Sequence, residues 1–450
     1  MPSVMPIEWS RDMRPRHDRA GTRYLGYPPP PAWSGEFGAD DYAYVLSGVG
    51  ARPGEALSVF VQIPFCSVRC LYCGSSVTVC HSGSDVDGYL DSLERELDLV
   101  ADLLGSGRPV LQLHFGGGTP NSLSEVQLLR LMEAIERRFG VPADADTAMQ
   151  CDPRRASAAQ FDLLRAFGIR SVRFGVPDVA PEVQKSIGRI QSIELLRDVC
   201  AMARGVGFES VSLDLTYGLP SQSERSFRLT LDEVVELDPD RITCFAYGQR
   251  PGARLDQHAL HADSIPAAAQ RSALFQRAVD SLTAAGFVWI GLDHFARAED
   301  ELVLAQGERR LRRNLMGYTA RAPAHVVAFG MGGVGEVDTA LVQNEPTMNA
   351  WQTMVDGGEL PVFRGHRLSD EDRRRRDAVT HLLCNLELPA ELAAAGLEDA
   401  YARLSGRADE GLLEVTSDRI VVTPRGRPLL AELCAELAGH DATEGGPWQS

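Results

Sequence analysis

The stretch LSVFVQIPFCSVRCLYCG, residues 57–74, joins an apolar segment to a cluster of cysteines. Its first half is bounded by Pro64 and predicts a buried strand. Cys66, Cys70 and Cys73 follow at once, spaced C-x3-C-x2-C, in a segment that we expect to be a loop. The stretch therefore predicts a site that binds metal or carries redox chemistry directly after a strand.

Strand and helix patterns then alternate along the chain. Residues 85–104 repeat apolar side chains at helical spacing, and residues 110–118 predict a second strand, followed by a helix capped by Ser122 or Ser124. Further strands, with helical segments between them, are predicted at residues 147–152, 171–176, 210–215 and 241–246. Such alternation produces parallel βαβ units. The sequence thus predicts an α/β fold, either a doubly wound sheet or a complete or partial barrel, with its chemistry at the carboxyl ends of the strands.

Four regions are predicted along the chain. Residues 1–55 form an N-terminal extension that packs on the α/β body, and residues 56–300 form that body. Residues 301–340 form a glycine-rich segment, and residues 341–450 form a smaller, mainly helical domain. A hairpin pattern followed by a helix near the C terminus makes this last domain similar to a winged helix.

The charge and the apolar pattern exclude several classes of partner. The chain has 45 basic and 62 acidic residues, which gives a formal net charge of −17. This charge repels phosphate backbones and argues against nucleic-acid binding. No apolar run reaches the roughly 18 residues of a membrane span, and the first residues lack the apolar core of a secretory signal. We therefore expect a cytoplasmic protein that binds neither nucleic acids nor membranes.

The cysteine count limits the chemistry of the cluster. Nine cysteines in 450 residues are too few for a disulfide scaffold. A structural zinc site needs four ligands, and here it would have to be completed by Cys80 or His81. The alternative is an iron–sulfur cubane, in which three thiolates leave one iron without a protein ligand. Because an open metal position is where a substrate or cofactor binds, we favour the cubane.

The cysteine spacing, with Tyr72 before the last cysteine, resembles the signature of radical S-adenosylmethionine (SAM) enzymes. Further motifs, FGGGTP at 115–120, IGRIQS at 187–192, SLDLTYGLPS at 212–221 and GLDHFAR at 291–297, extend this resemblance. Together they resemble the oxygen-independent coproporphyrinogen III oxidase (dehydrogenase) family over nearly the whole chain. The resemblance implies a partial (β/α)6 radical SAM barrel with a smaller, mainly helical C-terminal domain. It also implies a [4Fe–4S] cluster, SAM on the open iron, cleavage to a 5′-deoxyadenosyl radical and a second SAM nearby.

The resemblance also implies roles for individual residues. The cluster would be held by Cys66, Cys70 and Cys73, and the methionyl group of SAM by Gly116, Gly117, Gly118, Thr119 and Pro120. Arg189 would bind the carboxylate of SAM, because an arginine offers two parallel donors. Asp214, at the end of a strand, would accept the ribose hydroxyls. Without the resemblance, Arg189 would be a surface ion pair and Asp214 a helix cap.

A glycine-rich segment in the C-terminal third of the chain has two possible functions. GMGGVG, residues 330–335, matches the G-x-G-x-x-G pattern of dinucleotide-binding folds. However, Asp338, Asn344 and Pro346 interrupt the helix that such a site requires. The resemblance instead implies that Gly332 and Gly333 line the pocket for the second SAM or the substrate.

Four residues are candidates for catalysis: Tyr72, His294 and Phe295 of the GLDHFAR motif, and Cys80. His294 follows a predicted strand and could move a proton, and Phe295 could form a wall of the pocket. Cys80 lies just past the cluster loop and could supply a thiol or a proton. The alternatives are a hydrogen-bonded core histidine and an incidental loop cysteine.

Five positions around the expected cofactor depart from the decarboxylating members of the family. The family has tyrosine and histidine at Phe60 and Gln62, a fourth cysteine at Ser75, a glutamate that contacts SAM at Gln150, and a glutamine at Pro177. Replacing that glutamate by Gln150 removes a charge-assisted hydrogen bond to the SAM ammonium, worth about 1.5–3 kcal/mol. We expect all five positions to surround the cofactor.

These departures favour a changed reaction over the one that the family is named for. We predict transfer of a SAM-derived methylene to an sp2 carbon, as in class C methylases and cyclopropanases of specialised metabolism. Oxidative decarboxylation of coproporphyrinogen III is the alternative, and non-catalytic handling of haem is a second one. We expect a monomer that acts on a small molecule and is reduced by flavodoxin or ferredoxin.

Overall fold

The computed structural model describes residue 16 and residues 26–80, 82–248, 255–322, 324–393 and 396–439. His81, most of the predicted N-terminal extension up to residue 25, and residues 440–450 lie outside the described residues. Among the residues described, no helix combines the length and apolar character that a membrane span needs.

The main feature is a sheet of 12 strands. In chain order they are β1 Leu57–Ile63, β2 Val110–Gly117, β3 Asp146–Cys151, β4 Ser171–Gly175, β5 Ser210–Tyr217, β6 Arg241–Ala246, β7 Phe287–Gly291, β8 His294–Arg297, β9 His325–Phe329, β10 Val334–Val337, β11 Ala340–Asn344 and β12 Val362–Arg367. Their spatial order is β12-β11-β10-β9-β1-β2-β3-β4-β5-β6-β8-β7.

Strands β1 to β6 are parallel and lie side by side in chain order. A doubly wound sheet reverses direction at a switch point, whereas a barrel adds each strand next to the last. The unbroken order therefore decides between the predicted alternatives and confirms the partial barrel. β1 is buried on both faces, as expected of a parallel strand covered on each side.

Helices follow each of these parallel strands. The α-helices that the structure describes in full are α1 Ala39–Gly50, α2 Gly83–Leu104, α3 Glu125–Phe139, α4 Ala158–Ala166, α5 Pro181–Ser186, α6 Ile193–Val206, α7 Glu224–Glu236, α8 Ala268–Ala284, α9 Glu301–Gly307, α10 Met348–Asp356, α11 Asp370–Asn385, α12 Ala390–Ala393, α13 Glu398–Ser405 and α14 Leu430–Ala438. Of the two predicted caps of α3, Ser124 is the one used: its Oγ accepts from Gln127 N at 3.3 Å. The Gln127 side chain accepts in return from Ser124 N at 3.0 Å, which completes a capping box.

The sheet continues beyond the predicted α/β body. β9 pairs in parallel with β1, and β10, β11 and β12 extend this edge in antiparallel order. The predicted boundary between residues 340 and 341 therefore falls inside β11, and the smaller domain begins after β12. Short turns join β9 to β10 and β10 to β11, so these strands lack the intervening helices by which the parallel units were recognised, whereas α10 lies between β11 and β12.

The C-terminal domain has its own core and contains α11 to α14. Three strands accompany these helices, with Arg419–Val422 between Glu387–Pro389 and Leu413–Val415. Their hairpin is followed by α14, as the sequence predicts. A short ribbon, Arg312–Asn314 paired with Gly317–Thr319, connects the barrel to this domain.

Candidate active site

The carboxyl ends of the six parallel strands surround one cavity of about 200 Å³, called the cluster cavity below. Each strand contributes to its lining: Cys66 follows β1, Thr119 follows β2, and Gln150, Gly175, Asp214 and Phe245 lie at the ends of β3 to β6. Barrel enzymes hold their reactive groups at this end of the strands. The cavity is therefore the candidate active site, at the position that the sequence predicts.

The three cysteines of the predicted cluster all line this cavity. Cys66 Sγ is 3.2 Å from Thr119 Oγ1, and Cys73 N donates to Cys70 O at 3.1 Å. Burial raises the pKa of the Cys66 thiol. A bound metal centre would offset this effect, because it stabilises the thiolate.

The thiols fit a multi-iron cluster better than a single zinc ion. A zinc ion needs ligands that converge on one point, about 2.3 Å from each sulfur. Within the described part of the chain, no three His, Cys, Asp or Glu side chains are grouped to hold one ion. A cubane takes one thiolate per iron, so its ligands surround a volume instead. Cys80, the predicted fourth zinc ligand, does not line the cavity, and its thiol lies 3.2 Å from Ser82 O.

Gly117 and Gly118 form one wall of the cavity because no side chain fits there. Gly117 has φ of 107°, and a Cβ on it would lie 2.6 Å from the Gln62 amide. A Cβ on Gly118 would lie 2.8 Å from the backbone of Pro64. Thr119 lines the cavity as well, but Gly116 and Pro120 do not. Three of the five residues predicted to hold the methionyl group therefore line the cavity.

Arg189 lines the cavity and is buried. Its Nη1 donates to Asp152 Oδ2 at 3.1 Å, and its Nη2 donates to Gly175 O at 2.9 Å. Nε is buried without a hydrogen-bond partner among the described residues. The surface ion pair, considered as the alternative for Arg189, is therefore wrong, because the pair is internal.

Asp152 is held by two arginines. Burial alone would raise the pKa of this carboxyl, but Arg154 and Arg189 together hold it below its usual value. Arg154 binds both carboxylate oxygens, with Nη2 2.6 Å from Oδ2. The three side chains form a charged group beside Cys70, in which Asp152 and Arg189 are buried and Arg154 is partly exposed; Cys70 Sγ is 3.6 Å from Arg189 Nη1.

Asp214 lies within β5 and lines the cavity, so the alternative of a helix cap is wrong. Its Oδ1 is buried and has no hydrogen-bond partner in the described ranges. The nearest cation, Arg173, holds its Nε 3.7 Å away. Burial raises the pKa of the carboxyl, and Arg173 and His294 oppose this effect. An unpartnered carboxylate oxygen at a cavity is suited to accept hydroxyl groups of a ligand.

Tyr72 and Gln150 also line the cavity. Burial raises the pKa of Tyr72, so its hydroxyl stays protonated and can donate a hydrogen bond. Gln150 is on β3, and its Oε1 is 3.7 Å from where a Cβ of Gly116 would lie. Ser75, at the family's fourth-cysteine position, is part of the lining too.

The other departures from the family pattern lie behind the cavity wall. Phe60 packs against Gly116, where a Cβ would be 2.9 Å from its ring, and Gln62 packs behind Gly117. Both amide atoms of Gln62 are buried and have no hydrogen-bond partner among the residues that the structure describes. Phe60, Gln62 and Pro177 do not line the cavity. Of the five positions, only Ser75 and Gln150 therefore face the cavity directly.

His294 and Phe295 do not line the cavity either. They begin β8, which runs antiparallel between β6 and β7. His294 Nδ1 is 2.7 Å from Asp293 Oδ1, and its ring packs edge-on against Tyr318. Phe295 packs on Trp289 in the core. His294 is thus a partly buried histidine that is hydrogen-bonded to Asp293 and lies outside the cavity lining.

Gly332 and Gly333 lie in the turn between β9 and β10, outside the cluster cavity. Gly332 N donates to Glu345 O, and Gly333 O accepts from Asn344 N, both at 2.8 Å. β9 and β10 are antiparallel, so the GMGGVG segment does not precede a helix. The segment therefore lacks the strand–turn–helix arrangement that the dinucleotide-binding pattern requires.

Some residues of the cavity were not singled out from the sequence. Asp152 and Arg154 belong to CDPRR, directly after β3, and Thr216 and Phe245 lie at the ends of β5 and β6. Their position at the carboxyl ends of parallel strands was the signal that could have identified them.

Comparison with known proteins supports the same assignment over the whole chain. A family model described as the Radical SAM superfamily matches residues 60–234. The chain is 35% identical to the oxygen-independent coproporphyrinogen III oxidase of Pseudomonas aeruginosa over 438 residues, which cover 95% of each protein. Identity to the Escherichia coli enzyme of the same name is 35% over 440 residues, 96% of this chain and 95% of that protein.

Comparison with solved structures indicates the same family. The structure of coproporphyrinogen III oxidase from Escherichia coli, described as a radical SAM enzyme, superposes with a TM-score of 0.90 and 34% identity. The match covers 96% of this chain and 99% of that one.

These matches correct the predicted reaction. Methylene transfer rested on departures from the family pattern, and the whole-chain likeness to coproporphyrinogen III oxidases contradicts it. Three of those departures lie outside the cavity, so they are weaker evidence for a changed reaction. The chain belongs to the oxygen-independent coproporphyrinogen III oxidase family, within the radical SAM superfamily.

Proposed function

We propose that this protein is an oxygen-independent coproporphyrinogen III oxidase. It would convert two propionate side chains of coproporphyrinogen III to vinyl groups, with loss of CO2 and two hydrogens from each. The observation that carries the proposal is the whole-chain likeness to an enzyme of that name, at a TM-score of 0.90. Its support is the cavity at the strand ends, which presents three thiols and the carboxylate of Asp214, whose Oδ1 has no hydrogen-bond partner among the described residues.

The residues of the cluster cavity fit a [4Fe–4S] cluster and SAM, which when bound supply one-electron reduction and a radical that removes hydrogen. Cys66, Cys70 and Cys73 would hold the cluster. Arg189 is fixed by Asp152 and Gly175, and its unpartnered Nε would bind the SAM carboxylate. A second SAM nearby is part of the proposal.

Other residues would orient and enclose the ligand. Asp214 Oδ1 would accept the ribose hydroxyls, since it lacks a partner among the described residues. Gly117 and Gly118 would let the ligand approach the end of β2 closely, because they have no side chains. Tyr72 would donate from a hydroxyl that burial keeps protonated.

The proposal includes the setting in which the protein works. All nine cysteines are free thiols, which suits the reducing environment of the cytoplasm. We propose that the protein acts there as a monomer and receives electrons from flavodoxin or ferredoxin.

The test is an anaerobic assay with reconstituted protein, SAM, dithionite and coproporphyrinogen III. We expect mass spectrometry to show a product that has lost CO2 and two hydrogens at each of two side chains. Cys70→Ser should give no product and serves as the control. Two results would contradict the proposal: SAM cleavage with unchanged porphyrinogen, or tight haem binding with negligible SAM cleavage, which indicates a non-catalytic haem-handling protein.

A further inference from the structure

Exposed apolar side chains lie on the loops around the opening of the cluster cavity. Val68 lies just after Cys66 and lines the cavity, yet it is 57% exposed. Ile190, next to the buried Arg189, is 62% exposed, and Val79, which pairs with Cys66, is 44% exposed. The cavity therefore opens to solvent at an apolar part of the surface.

Hydrogen bonds join the loops that carry these side chains. Leu71 N of the cluster loop donates to Ile187 O, in the segment after β4, at 3.0 Å. In the same segment, Arg189 Nη1 lies 3.6 Å from Cys70 Sγ. The cluster loop and the segment after β4 therefore form one surface beside the cluster site.

Basic side chains exceed acidic ones around this opening. The segments that follow β1 to β5 are residues 64–80, 118–124, 152–157, 176–192 and 218–223. Their basic side chains are Arg69, Arg154, Arg155, Lys185 and Arg189. Of their three acidic side chains, Asp152 and Asp178 are buried, and Glu182 is exposed. The chain as a whole carries a net charge of −17, so the opening is a locally basic surface on an acidic protein.

Two of the basic side chains are available to a partner. Arg154 and Arg189 both bind Asp152. Arg155 and Lys185 are exposed, and neither side chain forms an ion pair or a hydrogen bond with the described residues. Their charges can therefore pair with the carboxylates of another molecule.

The composition of the opening is that of a protein interface. Protein interfaces have an apolar core and a polar rim. Single exposed apolar side chains are common, but a group of them with a polar rim marks an interaction site. A small ligand inside the cluster cavity would leave Val79 and Ile190 in water, because neither lines the cavity. The opening is therefore suited to a protein that covers it from outside.

We propose that Val68, Val79, Ile190, Arg155 and Lys185 form the docking surface for a small acidic electron-carrier protein with a bound flavin. The inference rests on the proposed function, because a reducible cluster in the cavity needs an electron donor. One electron passes from the reduced flavin to the cluster, and the carrier leaves oxidised by one electron. The apolar side chains exclude water from the contact, and the two cations attract the acidic carrier and orient it.

The first test measures formation of the complex and needs no porphyrinogen. Flavodoxin, an acidic flavin carrier, is titrated anaerobically into the reconstituted holoenzyme by calorimetry at low ionic strength. Arg155→Glu combined with Lys185→Glu should raise the Kd about tenfold, because two attractions become repulsions. Arg137→Glu, at an exposed arginine of α3, is the matched control and should leave the Kd unchanged.

A second variant tests the apolar part of the docking surface. Ile190→Asn should raise the Kd about fivefold, because an apolar side chain no longer leaves water when the complex forms. Leu304→Asn, at an exposed leucine of α9, is its control and should bind like the wild type. Both positions are exposed, so these changes leave the core packing in place.

Electron transfer supplies an independent readout. Reduction of the cluster by reduced flavodoxin, followed by visible absorbance, should be slower in the charge-reversed variant than in the wild type. The difference should shrink as salt is added, because salt screens exposed charges. Photoreduced 5-deazariboflavin, a small neutral reductant, should reduce the cluster of every variant at the same rate. Equal slowing with this reductant would indicate a damaged cluster and overturn the inference.

Three further outcomes would overturn the docking surface. They are equal flavodoxin binding by the wild type and the charge-reversed variant, an equal loss of binding in Arg137→Glu, and self-association of the wild type that Ile190→Asn abolishes. The last result would assign the surface to a second copy of the chain.

The outcome separates this inference from the proposed function. Decarboxylation with a chemical reductant, together with unchanged flavodoxin binding in the variants, rejects the docking surface and leaves the function standing. Flavodoxin binding that depends on Arg155 and Lys185, without decarboxylation of coproporphyrinogen III, rejects the function and leaves the docking surface standing.

Discussion

Arg189 donates a hydrogen bond from Nη1 to Oδ2 of Asp152 at 3.1 Å, and both side chains are buried. The same Nη1 lies 3.6 Å from the Sγ of Cys70. One cation thus connects the carboxylate after β3 to a thiol of the cluster loop. We expect the Arg189–Asp152 pair to hold the cluster loop in place and to fix the orientation of Arg189 Nε.

Asp152→Asn should destabilise the protein strongly. The change leaves Arg189 buried without its counter-charge, which costs about 3–5 kcal/mol. Urea unfolding under anaerobic conditions measures the loss of unfolding free energy. Asp98→Asn is the control, because Asp98 pairs with Arg138 at the surface, where such a pair is worth about 1 kcal/mol or less. Equal losses in the two variants would contradict the role of the buried pair.

Gly117→Ala should lower stability through two separate effects. The residue has φ of 107°, and its new Cβ would lie 2.6 Å from the Gln62 amide. Strain at positive φ costs about 1–2 kcal/mol, and crowding of a packed site adds about 1–3 kcal/mol. Gly54→Ala isolates the first effect, since Gly54 has φ of 99° and open space around it. Denaturant unfolding should show the larger loss at Gly117, and a similar loss at both positions would reject the crowding.

Glu96 predicts a pH dependence of stability. It is buried in α2, where Oε2 accepts from Gly330 N at 2.7 Å and Oε1 from Asn344 Nδ2 at 2.6 Å. Burial raises the pKa of this carboxyl to about 7. In the unfolded chain a glutamate has a pKa of about 4.3.

Between these two values the folded state holds a proton that the unfolded state has released. The free energy of unfolding therefore rises as the pH falls from about 7 toward 5, by up to about 1.4 kcal/mol per pH unit. Unfolding curves at several pH values measure this slope. Glu96→Gln should remove it, and Glu125→Gln, at an exposed position of α3, should retain it. An unchanged slope in Glu96→Gln would assign the dependence to other groups.

The cluster ligands can be separated from the neighbouring cysteine. Cys66→Ser, Cys70→Ser and Cys73→Ser should each reduce iron content and the visible absorbance after reconstitution, because each removes one thiolate from the cavity. Cys80→Ser should retain both, since Cys80 lies outside the cavity. Iron and sulfide analysis measures the difference. Loss of the cluster in Cys80→Ser would instead support a fourth protein ligand.

The barrel was predictable because its signals are local. β1 to β6 each appear as a short apolar run followed by a helical pattern, and Ser124 marks the start of α3 by its own hydrogen bonds. β9 and β10 are followed by short turns and not by helices, and the pairing of β9 with β1 connects residues far apart in the chain. That pairing depends on tertiary contacts, which a local sequence pattern does not reveal, and the predicted boundary at residue 340 falls within β11.

The candidate site was also predictable only where its signals are local. The cysteine spacing identifies the cluster loop without any structure, and Arg189 and Asp214 lie at the cavity as the resemblance implies. The position of Phe60 and Gln62 behind the glycine wall depends on which face of β1 they occupy, and this was not evident from the motifs. We therefore overestimated how much the departures from the family pattern change the active site, and this produced the wrong prediction of the reaction.

The most direct test of the proposed function follows the carboxyl carbon. Coproporphyrinogen III labelled with carbon-13 at its propionate carboxyls is incubated anaerobically with reconstituted protein, reductant and methyl-deuterated SAM. We predict that labelled CO2 is released in step with SAM consumption and that the porphyrinogen gains no deuterated methyl group. SAM consumption without labelled CO2, or a product that carries the deuterated carbon, would contradict the account.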